Sequence, residues 1–156
     1  MSRVARSARV ASRQRVETLS GAKTIESAET GELYLVSAAS TVTLPRPQEG
    51  AYFKFIVSAD ITSASALVIQ SHAAGSGDMA GSVQCVTEGG SGHAGDNHAD
   101  AQAAIADGHD KLTIGDGSNP IHAGSRVECV SDGTNWFVHG FIWANDNGAA
   151  AAFGDQ

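Results

Sequence analysis

The stretch Glu128–Phe141, "ECVSDGTNWFVHGF", is the part of this sequence that decides the fold. Two runs in which inward and outward side chains alternate flank Ser131–Asn135, and Gly133 supplies the positive φ that a tight turn needs. This pattern predicts a β-hairpin. The second strand carries bulky apolar side chains on both of its faces, so we expect one face to lie on a core and the other to meet a second sheet or another subunit.

Runs of the same kind recur along the chain and are separated by turn residues. They cover residues 32–36, 41–44, 52–57, 66–70, 82–86, 111–114, 126–130 and 136–142. The joints at Pro45–Gly50 and Gly115–Pro120 combine proline and glycine, which end a strand ladder. About eight short strands of this kind predict an all-β domain, either an antiparallel β-sandwich or a jelly-roll-like barrel.

The 156 residues suffice for one domain with its own core. We expect an extended basic N-terminal arm at 1–21, a β-domain at 22–144 and a flexible C-terminal tail at 145–156, in which Phe153 could anchor on a neighbouring subunit. Residues 88–110 interrupt the strand rhythm and predict a long polar loop. Within this loop the alanine-rich stretch 98–106 predicts two turns of helix.

Charge is distributed unevenly along the chain. The first 15 residues contain five arginines and no acid, and the other 141 residues contain five basic and 17 acidic side chains. Such an acidic body is expected to repel nucleic acid, whereas the arm could bind an acidic protein surface, a phosphate backbone or an anionic membrane. The arm also has the composition of an organellar transit peptide, although its amphipathy is poor. The arginines are Arg3, Arg6, Arg9, Arg13 and Arg15.

Several polar groups were candidates for chemistry. The loop at 88–110 contains metal-ligand side chains, but their spacing matches no defined site, and we interpret them as a solvated loop. The two calcium-loop-like fragments at 115–119 and 131–135 are explained by turn chemistry. His139 is interpreted as a strand-face residue, not a base. The sequence therefore predicts no catalytic, cofactor-binding or metal-binding residue. The loop side chains are His93, Asp96, His98, Asp100, Asp107, His109 and Asp110.

The two cysteines, Cys85 and Cys129, each lie in an alternating apolar run. We expect them to be small core residues, and a disulfide between them remains an alternative that the sequence does not decide. No apolar run reaches the length of a membrane span, and the start of the chain lacks the hydrophobic block of a secretory signal. The expectation is a soluble protein that is not secreted.

Two longer patterns resemble small virion proteins of tailed bacteriophages. They are "STVTLPRPQEGAYFKFIVSADITSASALVIQS" at 40–71 and "DKLTIGDGSNPIHAGSRVECVSDGTNWFVHGF" at 110–141. The closing "SDGTNW" motif is shared by capsid decoration (cement) proteins and by tail-fibre or tailspike modules. The resemblance covers about residues 30–143 and leaves out the arm and the long loop. It implies that Thr43–Pro45, Gly50, Asp132–Trp136 and Gly140 are fold-forming positions.

The resemblance implies a role in the virion without enzymatic activity. Because the chain is one module without a repetitive shaft, we expect a cement protein that is assembled in the host cytoplasm, sits on the capsid surface and bridges copies of the major capsid protein. The alternative is a receptor-binding or glycan-binding module of a tail fibre, in which Tyr52, Trp136 or Trp143 would stack on sugar rings. No cofactor, direct nucleic-acid contact or membrane contact is expected.

Two surfaces are predicted to carry this role. The arginines of the arm, including Arg15, would bind carboxylates of the capsid protein. Phe137, Phe141 and Trp143 share one face of the last predicted strand and would form a subunit interface, because one small core is unlikely to cover both faces. The expected homo-oligomer is a trimer, a number that comes from the resemblance alone.

Overall fold

The computed structural model describes residues 14–88, 98–115, 117, 120–145 and 151–156. Among these residues, 14 strands form two sheets, and the helical elements are two 3-10 turns at Ser27–Glu29 and Ile105–Asp107. No helix in the described part of the chain is long and apolar enough to cross a membrane. The prediction of an all-β sandwich is confirmed.

The strands, numbered in chain order, divide between a sheet of nine and a sheet of five. The large sheet contains β1 (Val16–Leu19), β3 (Leu33–Val36), β5 (Tyr52–Val57), β6 (Ile61–Thr62), β8 (Met79–Glu88), β9 (His98–Ala103), β11 (Pro120–Ile121), β12 (Arg126–Ser131) and β13 (Trp136–Asn145). The small sheet contains β2 (Lys23–Thr24), β4 (Ser40–Thr43), β7 (Leu67–Gln70), β10 (Lys111–Ile114) and β14 (Ala151–Gly154). Each of the eight predicted runs overlaps one of these strands.

Side-chain alternation explains how the sheets form a core. In β5, Phe53, Phe55 and Val57 are buried, and the residues between them are partly exposed. Inward residues of both sheets belong to one apolar cluster, in which the Trp136 ring lies 5.7 Å from that of Phe53. Burying such large side chains, at ~1.5–3 kcal/mol each, is the main favourable contribution to folding.

The cysteines belong to this core. Cys85 and Cys129 are both buried, and no disulfide joins them. Burial in apolar surroundings raises the pKa of the Cys129 thiol far above its usual range, so this thiol stays protonated and unreactive. The prediction that both cysteines are core residues is confirmed.

The hairpin around Ser131–Asn135 is tied to the turn that follows β4. Asp132 Oδ1 accepts hydrogen bonds from the amides of Thr134 (2.8 Å) and Asn135 (2.7 Å), which holds the pKa of Asp132 below its usual range. The Trp136 indole donates to the Pro45 carbonyl at 3.2 Å. The two sequence patterns that carry the phage resemblance therefore meet at one end of the sandwich, and the hairpin has the architectural role that its sequence predicts.

Strand direction follows the antiparallel expectation only in part. Five of the 12 pairings among the described strands are parallel: β1 with β3, β2 with β4, β3 with β5, β4 with β7, and β8 with β13. From β1 to β5 the chain alternates between the two sheets, so it returns to each sheet in the same direction. Alternation in sequence specifies which side chains face inward, but not which strand becomes the neighbour.

The predicted helix at 98–106 is wrong, and the loop at 88–110 is shorter than expected. β8 extends to Glu88, and β9 pairs with it antiparallel from Gly81↔Ala103 to Val86↔His98. The ladder of hydrogen bonds to β8 outweighs the modest helix propensity of alanine. Residues 89–97, with His93 and Asp96, lie outside the described residues.

The predicted C-terminal tail is also wrong for the last six residues. β14 pairs with β10, and Phe153 packs against the chain's own core, not a neighbour's. The buried Asp110 carboxylate accepts a hydrogen bond from the Gln156 amide at 2.8 Å, and His109 Nδ1 lies 3.2 Å from Asp155 Oδ1. Two of the loop's metal-ligand side chains therefore hold the C-terminal strand in place.

The N-terminal arm ends earlier than residue 21. β1 lies at the edge of the large sheet, parallel to β3, and the Gln14 amide donates to the Gly31 carbonyl at 2.9 Å. The domain thus begins before residue 22. Four of the five arm arginines, Arg3, Arg6, Arg9 and Arg13, lie outside the described residues.

Candidate interaction surface

The outer faces of the two sheets differ in chemistry. On the small sheet, Thr41, Thr43, Gln70 and Thr113 are partly or fully exposed, and Val68 is the one large apolar side chain on this face among the described strands. A face built mainly from threonine and other polar side chains is suited to contact with water. The small sheet thus has the ordinary outer face of a sandwich.

The outer face of the large sheet combines several large apolar side chains with a polar row, Lys54, Glu128 and His139, that crosses β5, β12 and β13. Its central strands β5, β12 and β13 bring Tyr52, Val130 and Phe137 side by side, because Val130 pairs with both of the others. Val130 and Trp143 are 39% and 38% exposed, although both are large apolar residues. We call the apolar residues of this face the outer patch: Leu33, Leu35, Tyr52, Ile56, Val130, Phe137, Phe141 and Trp143.

Charged groups on the same face are paired within it. Lys54 Nζ lies 2.8 Å from Glu128 Oε1, and this hydrogen bond raises the pKa of Lys54. The Arg126 guanidinium lies 5.3 Å from the centre of the Phe141 ring, in a cation–π contact. Pairing of this kind lowers the cost of covering the face with another apolar surface.

The predicted interface residues all belong to the outer patch. Phe137, Phe141 and Trp143 lie on the outer face of β13, while Trp136 and Val138 on the other face are fully buried. The alternation in sequence had therefore assigned both faces correctly. Sequence reasoning missed the contributions of β3, β5 and β12, because lateral neighbours in a sheet are set by pairing between distant segments.

Trp136 cannot stack on a sugar ring, contrary to the alternative considered from the sequence, because its side chain is fully buried in the core. Tyr52 and Trp143 do lie on the outer face. The Trp143 ring is 4.5 Å from the His122 ring, and His122 Nδ1 lies 3.1 Å from Asp60 Oδ2. Trp143 is thus an exposed aromatic residue that its neighbours hold in a fixed orientation.

His139 is an exposed residue on the strand face, as its sequence position suggests. It lines a shallow groove of about 590 Å³ with Ser82 and Asp107, and Ser82 is its register partner on β8. No hydrogen bond joins these three described side chains, and the Asp107 carboxylate instead accepts one from the Ala104 amide at 2.7 Å. The grouping lacks the hydrogen-bonded chain that activates a serine nucleophile.

Arg15 is the one arm arginine in the described part of the chain. Its Nη1 lies 2.9 Å from Glu32 Oε1, and the Arg15 side chain is largely exposed while that of Glu32 is buried. Its main-chain carbonyl accepts the Leu33 amide at 2.9 Å. Arg15 thus fixes the base of the arm to the body and is engaged within its own chain.

No protein-family model matches this sequence, and neither a curated protein nor a solved structure is significantly similar to it.

Proposed function

We propose that this chain is a non-enzymatic assembly protein of a tailed-phage virion, a capsid decoration protein that binds the outer surface of the head. The observation that carries the proposal is the contrast between the polar outer face of the small sheet and the outer patch of the large sheet. Several large apolar side chains exposed together on one face are a usual mark of a protein contact. The phage-like sequence patterns supply the class of particle.

The outer patch is proposed as the contact between copies of the chain. Its members come from four neighbouring strands. Beside them Lys54 and Glu128 form an ion pair and the Arg126 guanidinium lies over the Phe141 ring, which lowers the cost of covering this face. Aromatic residues such as Phe137 and Phe141 are enriched at the centres of stable interfaces. The expectation of three copies rests on the resemblance.

The arginine arm is proposed as the attachment to the major capsid protein. Its guanidinium groups can form forked hydrogen bonds with carboxylates. Ordering about a dozen residues costs on the order of 1 kcal/mol each, whereas an exposed ion pair contributes only ~0.2–1 kcal/mol. Val4 and Val10 are therefore expected to add apolar contacts or strand pairing to the ionic ones.

Deleting residues 2–13 is expected to reduce the occupancy of the protein on purified capsids without unfolding it. This deletion removes four arginines and keeps Gln14 and Arg15, which contact the body. Occupancy of the intact protein should fall as salt rises, because salt screens exposed ion pairs. Equal occupancy of the intact and shortened proteins at low and high salt would contradict an attachment role for the arm.

The second candidate function is glycan or receptor binding by a tail fibre. Trp143 favours it, because an exposed aromatic ring held beside a paired histidine and aspartate is a suitable platform for a sugar. In this case the protein would be found on the tail instead of the head.

Antibody labelling of intact virions separates the two functions. We expect label distributed over the head at regularly spaced positions, in keeping with a decoration protein. Label confined to the tail would overturn the decoration proposal and favour the glycan-binding one. Virions stripped of the protein and labelled in parallel provide the control for unspecific antibody binding.

A further inference from the structure

The polar row lies inside the outer patch, not beside it. Lys54, Glu128 and His139 are successive register partners on β5, β12 and β13. On β13, Phe137 and Phe141 are the outward residues on either side of His139, because side chains two positions apart share a face. A surface that covers both phenylalanines must therefore cover the histidine between them.

His139 is the member of this row that has no partner. Lys54 Nζ and Glu128 Oε1 form an ion pair at 2.8 Å. The His139 side chain is exposed in the single chain, and within the described residues no hydrogen bond or ion pair holds its ring. The ring borders two open grooves of about 590 and 310 Å³. Solvent reaches it from these grooves, so the imidazole of a separate protomer exchanges protons freely.

Other charged and polar groups line the same two grooves. β12 contributes Arg126 and Glu128, β8 contributes Ser82 and Gln84, and the second 3-10 turn contributes Asp107. Serine and glutamine do not titrate in the physiological range. The charges around the imidazole are therefore those of the arginine, the two carboxylates and the lysine of the polar row.

These four charges balance one another. Glu128 binds Lys54, and the exposed Asp107 carboxylate accepts a hydrogen bond from the Ala104 amide at 2.7 Å. Arg126 supplies the second positive charge. A proton on the imidazole adds a third cation to two carboxylates, so the covered face would contain one positive charge that nothing balances.

We propose that protonation of His139 controls self-association through the outer patch, an inference that rests on the interface proposed above. With a neutral imidazole the charges of the covered face balance, and association is favourable. With a protonated imidazole, association would bury an unbalanced charge, which is costly. Burial disfavours the charged form, so association is present above the pH at which histidine titrates, ~6.5, and is lost as the pH falls through that range.

The test compares two substitutions of His139 in the full chain by sedimentation velocity at micromolar concentration. His139→Gln keeps a neutral polar side chain at every pH, and His139→Lys keeps a positive one. We expect wild type to be oligomeric at about pH 8 and to have a mass of 15.9 kDa at about pH 5, with a dissociation constant that rises about tenfold per pH unit for each proton bound. His139→Gln should be oligomeric at both pH values, and His139→Lys should be dissociated at both.

His122→Gln is the control, because His122 lies beside Trp143 of the outer patch but has Asp60 to balance its charge. It should keep the pH dependence of wild type, and circular dichroism verifies that each variant is folded. The same pH dependence in wild type and His139→Gln, or an oligomeric wild type at about pH 5, would overturn the proposal. A wild-type mass of 15.9 kDa at about pH 8 would contradict the proposed interface itself, and this inference with it.

Discussion

Gly81→Ala is expected to remove a large fraction of the stability of the fold. Gly81 has φ +146° near the start of β8, a conformation that residues with a Cβ rarely adopt. An added Cβ would lie 1.8 Å from the Val138 carbonyl oxygen and 2.7 Å from its carbon, on the adjacent strand β13. Both neighbours are backbone atoms of the central pairing of the large sheet, so no flexible side chain can move aside.

The expected loss is about 2–6 kcal/mol, from ~1–3 kcal/mol of backbone strain and ~1–3 kcal/mol of overpacking. A domain of this size is typically stable by about 5–15 kcal/mol, so the loss is a large fraction of the total and should lower the urea midpoint clearly. Urea denaturation followed by circular dichroism measures the change. Gly21→Ala is the control, because no atom lies within 4 Å of its added Cβ. Equal urea midpoints for the two variants would contradict the described pairing of β8 with β13.

The double variant Phe137→Glu/Phe141→Glu is expected to dissociate the proposed oligomer and leave the protomer folded. Both side chains belong to the outer patch and are partly exposed in the single chain, so a folded protomer can solvate the new carboxylates. In the assembly the carboxylate at position 137 would be buried without a partner, at a cost of several kcal/mol, and the one at position 141, opposite Arg126, would replace the aromatic ring of the contact. The dissociation constant should rise on the order of 100-fold or more.

Thr41→Glu/Thr113→Glu is the matched control, because it places the same two charges on the outer face of the small sheet. Sedimentation velocity at micromolar concentration should show the wild-type mass for this control and 15.9 kDa for the outer-patch variant. If the outer-patch variant kept the wild-type mass, or if the control dissociated to the same extent, the proposed interface would be wrong.

The strands that the sequence predicted best are those with strong alternation. Tyr52–Val57 and Lys111–Ile114 have the predicted bounds, because their inward residues pack in one core and their ends carry turn residues. The two-residue strands Lys23–Thr24 and Pro120–Ile121 are too short to have a period of their own. β9 and β14 were missed because alanine-rich stretches take the structure of the neighbour they pair with.

The candidate surfaces were predictable to different degrees. The alternation of inward and outward side chains within β13 was enough to place Phe137, Phe141 and Trp143 on one face, since alternation is a local property. Parallel pairing was invisible in the sequence, since it depends on how the chain crosses between the sheets.

Tryptophan quenching tests the central claim most directly, namely that association covers the outer patch. The chain has two tryptophans, and Trp136 is fully buried, so Trp143 alone can respond to acrylamide. At micromolar concentration we expect acrylamide to quench the Trp143 fluorescence of wild type severalfold less than that of Phe137→Glu/Phe141→Glu. The reason is that Trp143 would be covered in the proposed oligomer and exposed in the protomer. Equal quenching of the two proteins, with a wild-type mass of 15.9 kDa, would contradict the account.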